Sequence, residues 1–386
     1  MYVSIAIIAW NEEKALEPAL ASLFRQTLFK ELSRRGLACE ILCLANGCTD
    51  NTAGCAKRIF EQQTRTHPFR GSFHCRVLEL AERGKLNAWN QFVHRFSAPE
   101  ARFLILMDAD IVIHRNETLW NMVAVLEQDS RANVSVDHPC KDISLKSRKT
   151  LRDRLSLSAS QATLAAPAQL CAQLYCIRAE IARKIYLPKD LAACEDGFIK
   201  ALICTDILSH EVWPERIRAA EGAAHTFEAY TSPLAILRNQ KRQILGQTIV
   251  HILVDQYLPE LAGSREVMAE LLRRKDIEDP SWLKRLIAEH LRRTRFFWRL
   301  YPGLLGLRFQ RLRQLSSVKR WLCFPAAVAG TAVSFVASFM AYVALKRGCT
   351  DYWPQAARGE HTGSPTKDVA PGNARTPEKA PGFARV

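Results

Sequence analysis

The sequence contains no CxxC pair, and its 12 cysteines stand singly along the chain. This spacing excludes a zinc ribbon and a thioredoxin motif, and 12 cysteines in 386 residues are too few for a disulfide scaffold. We therefore expect free thiols that behave as small buried hydrophobic groups in a reducing compartment.

Internal repeats are also missing, and only one run is long and uncharged enough to cross a membrane, which excludes a multi-span transporter. Hydrophobic residues make up 48% of the chain and charged residues 24%, which excludes a wholly disordered chain and a collagen. The first residues, MYVSIAIIAWNEE, have no basic segment before their apolar run. They predict a buried strand rather than a signal peptide.

Positive charge is in excess, since 54 Lys and Arg stand against 39 Asp and Glu, giving a net charge of +15. Such a balance indicates a polyanionic partner: nucleic acid, anionic lipid or a phosphorylated substrate. From Leu283 the chain is helical and strongly basic, with aromatic residues interleaved. Because this basic segment adjoins an apolar run, it favours a surface of anionic lipid over nucleic acid.

The apolar run extends from Leu322 to Leu345 without a charged residue. As a helix it would be about 36 Å long, enough for a hydrocarbon core of about 30 Å. Basic pairs flank both ends and the heavier basic load precedes it, so we predict a single-pass, C-terminal membrane anchor with the preceding domain in the cytoplasm. A buried core helix is the alternative, and Pro325 and Gly330 leave a re-entrant hairpin open.

The first half of the chain alternates short apolar runs with helical patterns. The runs are VSIAIIA, EILCLA, RVLEL and FLILMDAD, and the first helix has Leu16, Leu20 and Leu23 on one face. This alternation predicts an α/β fold with a mostly parallel sheet flanked by helices. We predict a catalytic α/β domain over residues 1–260, basic amphipathic helices over 261–320, a transmembrane helix over 321–346 and a disordered tail over 347–386.

Polar residues that could bind a ligand or take part in catalysis follow the predicted strands. FLILMDAD ends in Asp108 and Asp110, hard oxygen ligands that suit Mg²⁺ or Mn²⁺ carried by a diphosphate, although a solvated loop is an open alternative. The first strand ends in AWNEE and the second in ANGCTDNT, and each opens a helix whose N-terminus favours anions. Lys85 follows Gly84 and could reach phosphate, and a later acidic pair, Glu195 and Asp196, opens the helical run FIKALI.

In this order the segments resemble glycosyltransferase family 2, whose members have the Rossmann-like GT-A fold. AWNEE is similar to the family's Tyr-Asn-Glu opening, and NGCTDNT to its Asp-Asp-Gly-Ser-Thr-Asp turn. GKLNAWN fits Gly-Lys-x-x-Ala-Leu-Asn, and DAD is the family's DxD. The resemblance covers about residues 1–250 and implies inverting transfer from a nucleotide-diphospho sugar.

The resemblance also implies a donor side of the site. Trp10 would stack on the nucleobase, Glu12 would face the nucleoside and Lys85 would pair with the diphosphate. Asp108 would hold the nucleotide. The family's usual Asp before the turn is Ala45 here, which leaves Asn46 as the neighbouring polar group and leaves the base open.

On the acceptor side, Asp196 would take the proton of the acceptor hydroxyl and Glu195 would orient the acceptor or the base. Asp110 would bind the Mg²⁺ or Mn²⁺. Arg242 stands at the Arg of the family's Gln-x-x-Arg-Trp motif and would reach the diphosphate. Asn239 and Gln243 replace the Gln and the Trp, so we expect transfer of a single sugar.

Structural interpretations of these residues are open as well. Trp10 could belong to the core, Lys85 and Arg242 could be solvated cations, and the acidic pair could cap a helix. Outside the motifs, His225 could line the site, although a lone His is more often structural. Gln173 and Arg178 stand where the family places acceptor-side residues.

The sequence therefore predicts a membrane-anchored inverting glycosyltransferase. Its acceptor would be lipid-linked or a precursor of a cell-envelope glycan, and no nucleic acid partner is expected. A sugar-phosphate nucleotidyltransferase is the enzymatic alternative, although it usually carries a glycine-rich basic loop after its first strand. A membrane-tethered binding protein with a decayed site is the non-enzymatic one.

Overall fold

The computed structural model describes residues 1–144, 150, 169–191, 194–227, 232–261, 267–313 and 317–349. Strands in these residues form one sheet. They are β1 Val3–Ala9, β2 Cys39–Asn46, β3 Phe73–Leu80, β4 Phe103–Asp108, β5 Val112–Ile113, β6 Val134–Lys141, β7 Leu174–Arg178 and β8 Ile217–Phe227. The order across the sheet is β3-β2-β1-β4-β7-β6-β8-β5.

The sheet is mixed, and its parallel part holds the four strands predicted from apolar runs. β1 pairs in parallel with β2 and β4, and β2 pairs with β3. β7 runs antiparallel to β4 and β6, β5 runs antiparallel to β8, and β6 and β8 are parallel. Every residue of β1 and β2 is buried, which explains why these strands are mostly apolar on both faces.

Helices connect and cover the strands. They are α1 Glu13–Phe24, α2 Leu28–Arg34, α3 Thr52–Thr66, α4 Lys85–Gln91, α5 Thr118–Gln128, α6 Ala179–Ala182, α7 Glu195–Cys204, α8 Pro233–His251, α9 Leu258–Leu261, α10 Met268–Glu278, α11 Trp282–Arg293, α12 Leu307–Arg313 and α13 Ser317–Lys346. The predicted first helix is confirmed, since Leu16, Leu20 and Leu23 are fully buried on α1.

The sheet lies between two helical layers, because successive side chains of a strand point to opposite faces. Val3, Ile5 and Ile7 face a core that includes α1, α2, α3 and α5. Ala6 and Ile8 face the other core, which α4, α7 and α8 cover. Side chains of β1 therefore alternate between the two cores, one on each face of the sheet.

The C-terminal helices belong to the second core. Trp282 and Leu283 of α11 and Ala337 and Ala341 of α13 are buried in the cluster that contains Ile8. Among the described residues, α13 alone has a stretch, Cys323–Lys346, long and apolar enough to cross a membrane by length and composition. Most of the tail predicted over residues 347–386 lies outside the described residues.

Candidate active site

The predicted site residues gather at one edge of the sheet. β1, β2 and β4 are parallel, with Ala9 beside Ala45 and Ile8 beside Asp108, so their carboxyl ends meet. Trp10, Asn46 and Asp108 lie at these ends. In open α/β sheets this edge is where ligands bind.

The loops after β1 and β2 are joined by side-chain hydrogen bonds. Asn11 has a left-handed φ of 54°, and its Oδ1 accepts from the backbone N–H of Thr49 at 2.7 Å. The backbone N–H groups of Glu12 and Glu13 donate to Thr52 Oγ1 at 2.9 Å and to Asp50 Oδ2 at 3.1 Å. These bonds fix the start of α1 against the start of α3 and position Glu12 at the edge.

Asn46 holds the loop that carries Lys85. Its side chain is fully buried, and its Oδ1 accepts from the backbone N–H of Gly84 at 3.2 Å. Gly47 has φ +62°, and a Cβ there would lie 2.9 Å from Arg83 Cβ, so only glycine fits this close approach. Asn46 Nδ2 is buried without a hydrogen-bond partner among the described residues. Contact of Asn46 with the nucleotide stays a prediction, and its visible role is to position the loop.

Trp10 is half-buried rather than a member of the core. The guanidinium of Arg83 lies over its ring, 3.5 Å from the centroid, a cation–π contact. One face of the indole is thus occupied by the residue that precedes Gly84. Stacking of a base on Trp10 stays a prediction, and Arg83 is a contact that the sequence did not indicate.

Lys85 connects the end of β4 to the start of α7. Its Nζ lies 2.7 Å from Asp108 Oδ1 and 3.1 Å from Glu195 Oε1. The three side chains are only 10–18% exposed. Lys85 is therefore no solvated surface cation, but a buried counter-ion shared by two carboxylates that lie far apart in sequence.

Burial and charge shift the pKa values of this triad in different directions. Burial raises the pKa of Asp108 to about 7, with Asp110 adding to the rise and Lys85 opposing it. Burial also raises the pKa of Glu195, but Lys85 and a backbone N–H outweigh it, so the net shift is downward. Burial lowers the pKa of Lys85, and the two carboxylates more than reverse this, so Lys85 stays charged.

Asp196 lies in the first turn of α7, where the acidic pair was predicted to open a helix. Its Oδ1 accepts from the backbone N–H of Gly197 at 2.7 Å. Burial first, and then the neighbouring Glu195 carboxylate, raise the pKa of Asp196 to about 6. A carboxylate with such a pKa is ionised at neutral pH and still basic enough to accept a proton.

Arg242 on α8 faces the acidic pair. Its positive charge lowers the pKa of both Glu195 and Asp196, and its Nε is buried without a hydrogen-bond partner among the described residues. α8 reaches this position because Gly246 lies against Cys194: a Cβ on Gly246 would be 2.2 Å from Cys194 Cβ. Gln243, in the place of the family's Trp, is exposed.

His225 lies in a buried polar cluster that the sequence only partly indicated. Its Nδ1 is 2.7 Å from Asp137 Oδ2 and its Nε2 is 3.3 Å from Gln173 Oε1. Burial lowers the pKa of His225, but Asp137 and Cys171 overcome this and raise it to about 10. The backbone carbonyl of Gln173 accepts from the N–H of Asp108 at 2.8 Å, so the cluster adjoins the DxD. Nothing in the local sequence around Asp137 marks this partnership.

The structure places Arg178 in a structural role instead of on the acceptor side. Its guanidinium donates to the carbonyl oxygens of Ala132, Leu126 and Asp129 at 2.8, 2.6 and 3.1 Å. These bonds satisfy carbonyl groups at the end of α5. The guanidinium is thus committed to backbone groups, and the acceptor-side interpretation of Arg178 was wrong.

Asp110 fits a divalent cation that arrives with a diphosphate. It is exposed just beyond β4, and no hydrogen bond or ion pair of its side chain occurs within the described residues. Those residues contain no group of three or more His, Cys, Asp or Glu side chains placed to hold a metal. Mg²⁺ commonly takes one or two carboxylates and completes its shell with phosphates and water, so the donor set is compatible.

Comparison with known proteins identifies a family match. Residues 4–177 match the family described as glycosyl transferase family 2. No curated protein matches the sequence.

Solved structures match over most of the chain. The mannosyltransferase PcManGT from Pyrobaculum calidifontis, in complex with GDP-Man and Mn²⁺, is 15% identical with a TM-score of 0.50, covering 89% of this chain and 86% of that one. S. aureus TarS 1–349 in complex with UDP-GlcNAc is 15% identical with a TM-score of 0.42, covering 90% and 92%. At such identities the likeness to the mannosyltransferase shows the fold alone.

Proposed function

We propose that this chain, a glycosyltransferase whose family 2 domain has the GT-A fold, transfers one sugar with inversion. The donor is a nucleotide-diphospho sugar, and the sugar goes to the hydroxyl of a membrane-delivered acceptor. The observation that carries the proposal is the buried path from Asp108 through Lys85 to Glu195 and Asp196. It joins the strand end that holds the donor to the carboxylate that serves as base.

Asp196 acts as the general base. Its carboxylate takes the proton of the acceptor hydroxyl as the hydroxyl oxygen attacks the anomeric carbon, and the bond from that carbon to the diphosphate breaks on the opposite face. Glu195 is held by Lys85 and orients the base or the acceptor. Because the acceptor oxygen attacks from the side opposite to the leaving diphosphate, the configuration at the anomeric carbon inverts.

The donor occupies the sheet edge. Trp10 stacks on the base, Glu12 faces the nucleoside and Asp108 holds the nucleotide. Lys85 and Arg242 lie at the diphosphate, whose departure requires positive charge. Asp110 would hold Mg²⁺ or Mn²⁺, which when bound neutralises charge on the diphosphate.

Single transfer follows from the surface of α8. A processive enzyme needs a flat apolar side chain against the growing glycan, and Gln243 offers only an exposed amide at that position. The acceptor is proposed to come from a membrane because α13 is apolar over Cys323–Lys346 and is preceded by a basic segment. Because the cytoplasmic leaflet carries anionic lipids that attract basic segments, the catalytic domain is proposed to face the cytoplasm.

Donor hydrolysis and the Asp196→Asn variant test this function. Wild-type protein should release nucleotide from one member of a panel of GDP- and UDP-linked sugars, and products at high donor excess should carry one added sugar by mass spectrometry. With acceptor, kcat/KM should fall about tenfold per pH unit below pH 6, because protonation of Asp196 removes the base.

Asp196→Asn keeps the shape and the Gly197 N–H bond but accepts no proton. It should bind donor normally and lose about 10²-fold or more in kcat. Asp129→Asn, a carboxylate far from the site, is the matched control. Weak donor binding with normal turnover in Asp196→Asn would assign Asp196 to the donor instead, and a ladder of products would contradict single transfer.

A further inference from the structure

Helix α13 has two faces of different character. The buried face is built of small residues, including Ala337, Ser338 and Ala341, and packs along α8. The opposite face leaves large apolar side chains exposed, with Trp321 78% and Phe339 53% exposed. Its members are Trp321, Phe324, Val328, Val333, Phe335, Val336 and Phe339.

A short helical turn, Phe297–Arg299, extends the apolar surface beyond α13. The ring of Phe297 lies 4.9 Å from that of Phe335 and 5.4 Å from that of Phe339, and Trp298 stacks near Phe335 at 6.1 Å. We name these four side chains the aromatic patch. An exposed apolar cluster of this kind on a soluble surface marks an interaction site.

The surroundings of the aromatic patch are strongly basic. Between Leu283 and Cys349 the sequence has 13 Lys and Arg but one acidic residue, Glu289. Arg295 and Arg299 are exposed beside the patch, and Arg320 and Lys346 are exposed near the ends of α13. Aromatic side chains rimmed by arginines complement an anionic lipid surface, where rings enter the acyl boundary and cations meet headgroups.

The contacts of α13 with other helices show that lipid cannot surround it on every side. Arg308 of α12 donates to Gly330 O at 2.6 Å and to Ser334 Oγ, and Ser334 lies at the middle of the apolar stretch. A Cβ on Gly330 would lie 2.8 Å from Arg308 Nε, so the two helices are closely fitted. If α13 crossed a bilayer in this arrangement, Arg308 and α8 would enter the hydrocarbon, where charges and polar surface are expensive.

We propose that α13 lies in the plane of one leaflet and docks on anionic lipid through its exposed face and the aromatic patch. This placement replaces the single span predicted from the sequence. It also extends the proposed function, and its statement about the acceptor rests on that function. Tyr301 donates to Gln247 Oε1 at 2.7 Å, next to Gly246, which lies against Cys194 at the start of α7. The membrane-docked segment thus backs the end of the site that carries Asp196.

Two natural cysteines test the topology in the full-length chain. Cys323 and Cys349 are exposed and lie near opposite ends of α13. In cells that express the protein, a membrane-impermeant maleimide should label both in inverted vesicles and neither in intact spheroplasts, read by peptide mass spectrometry. Labelling of Cys349 from the outer side, with Cys323 labelled from the cytoplasmic side, would overturn the proposal in favour of a span.

The lipid contact is tested by flotation with vesicles. Purified protein should float with vesicles that contain phosphatidylglycerol, and about tenfold less with pure phosphatidylcholine. In the double variant Phe335→Glu/Phe339→Glu, flotation should fall at least tenfold. The control is Val212→Glu, which introduces the same side chain at an apolar residue outside the aromatic patch that is 66% exposed, and it should float like the wild type.

Two further outcomes decide the occupant and separate the two proposals. Unchanged flotation of the double variant, or a stable dimer in lipid-free buffer that the double variant dissociates, would overturn lipid docking, the latter in favour of a second copy of the chain. Donor hydrolysis in detergent should be equal in wild type and both variants. If the wild type does not hydrolyse any donor, the proposed function is contradicted, whereas the flotation result still holds.

Discussion

Replacement of Lys85 by methionine isolates the buried counter-ion at the centre of the site. Methionine keeps most of the apolar stem but removes the charge that lies 2.7 Å from Asp108 and 3.1 Å from Glu195. Breaking a buried ion pair from one side typically costs about 3–5 kcal/mol of unfolding free energy, because the remaining charge is uncompensated. We expect a loss of that size at pH 8, measured by urea unfolding in mild detergent.

The loss should depend on pH, with a definite sign. In Lys85→Met the folded-state pKa of Asp108, already about 7, and that of Glu195 rise above their unfolded values. A raised carboxyl pKa means that the folded state binds more protons, so stability falls as pH rises toward the folded pKa. Between pH 5.5 and pH 8 the deficit should therefore shrink on acidification, by about 1.4 kcal/mol per pH unit for each carboxyl that is protonated in the folded variant but ionised in the folded wild type. For Asp108 this difference exists only above about pH 7, whereas Glu195, whose pKa is lowered in the wild type, contributes across the range.

Lys57→Met is the matched control, since Lys57 forms an equally short pair with Glu79, 2.6 Å, with both side chains more than half exposed. Solvent screens such a pair, so its loss should leave the unfolding midpoint almost unchanged at both pH values. If both variants lose the same stability, or if the deficit of Lys85→Met is identical at pH 5.5 and pH 8, Lys85 is not the buried counter-ion described above.

Two further predictions concern helix packing and metal. Gly246→Ala should lower stability and turnover together, because its Cβ would overlap Cys194, whereas Gly71→Ala, with open space around it, should be neutral in both; equal behaviour of the two would contradict the close α8–α7 contact. EDTA should abolish sugar transfer and Mn²⁺ should restore it, with Asp110→Asn needing a higher Mn²⁺ concentration for half-maximal rate; full activity in EDTA would remove the metal assignment.

Local sequence determined the frame of the site. Mostly apolar runs such as VSIAIIA specify strands buried on both faces. Parallel strands bring their carboxyl ends to one edge, so Trp10, Asn46 and Asp108 meet there without further information. The acidic pair before FIKALI likewise specified a helix start. These features depend on residues within one or two turns of the chain, which a pattern can carry.

Tertiary packing decided the partners. Lys85 meets Glu195 across 110 positions, and His225 meets Asp137 across two strands whose register shifts between Val136 and His138, so no spacing rule could pair them. Packing also decided the faces of α13: its sequence is apolar all round, and only contact with α8 and Arg308 buries the small side chains and leaves the aromatic ones outside. The length of an apolar helix can be predicted from its sequence, but the side that it buries depends on the shape of the neighbouring helices.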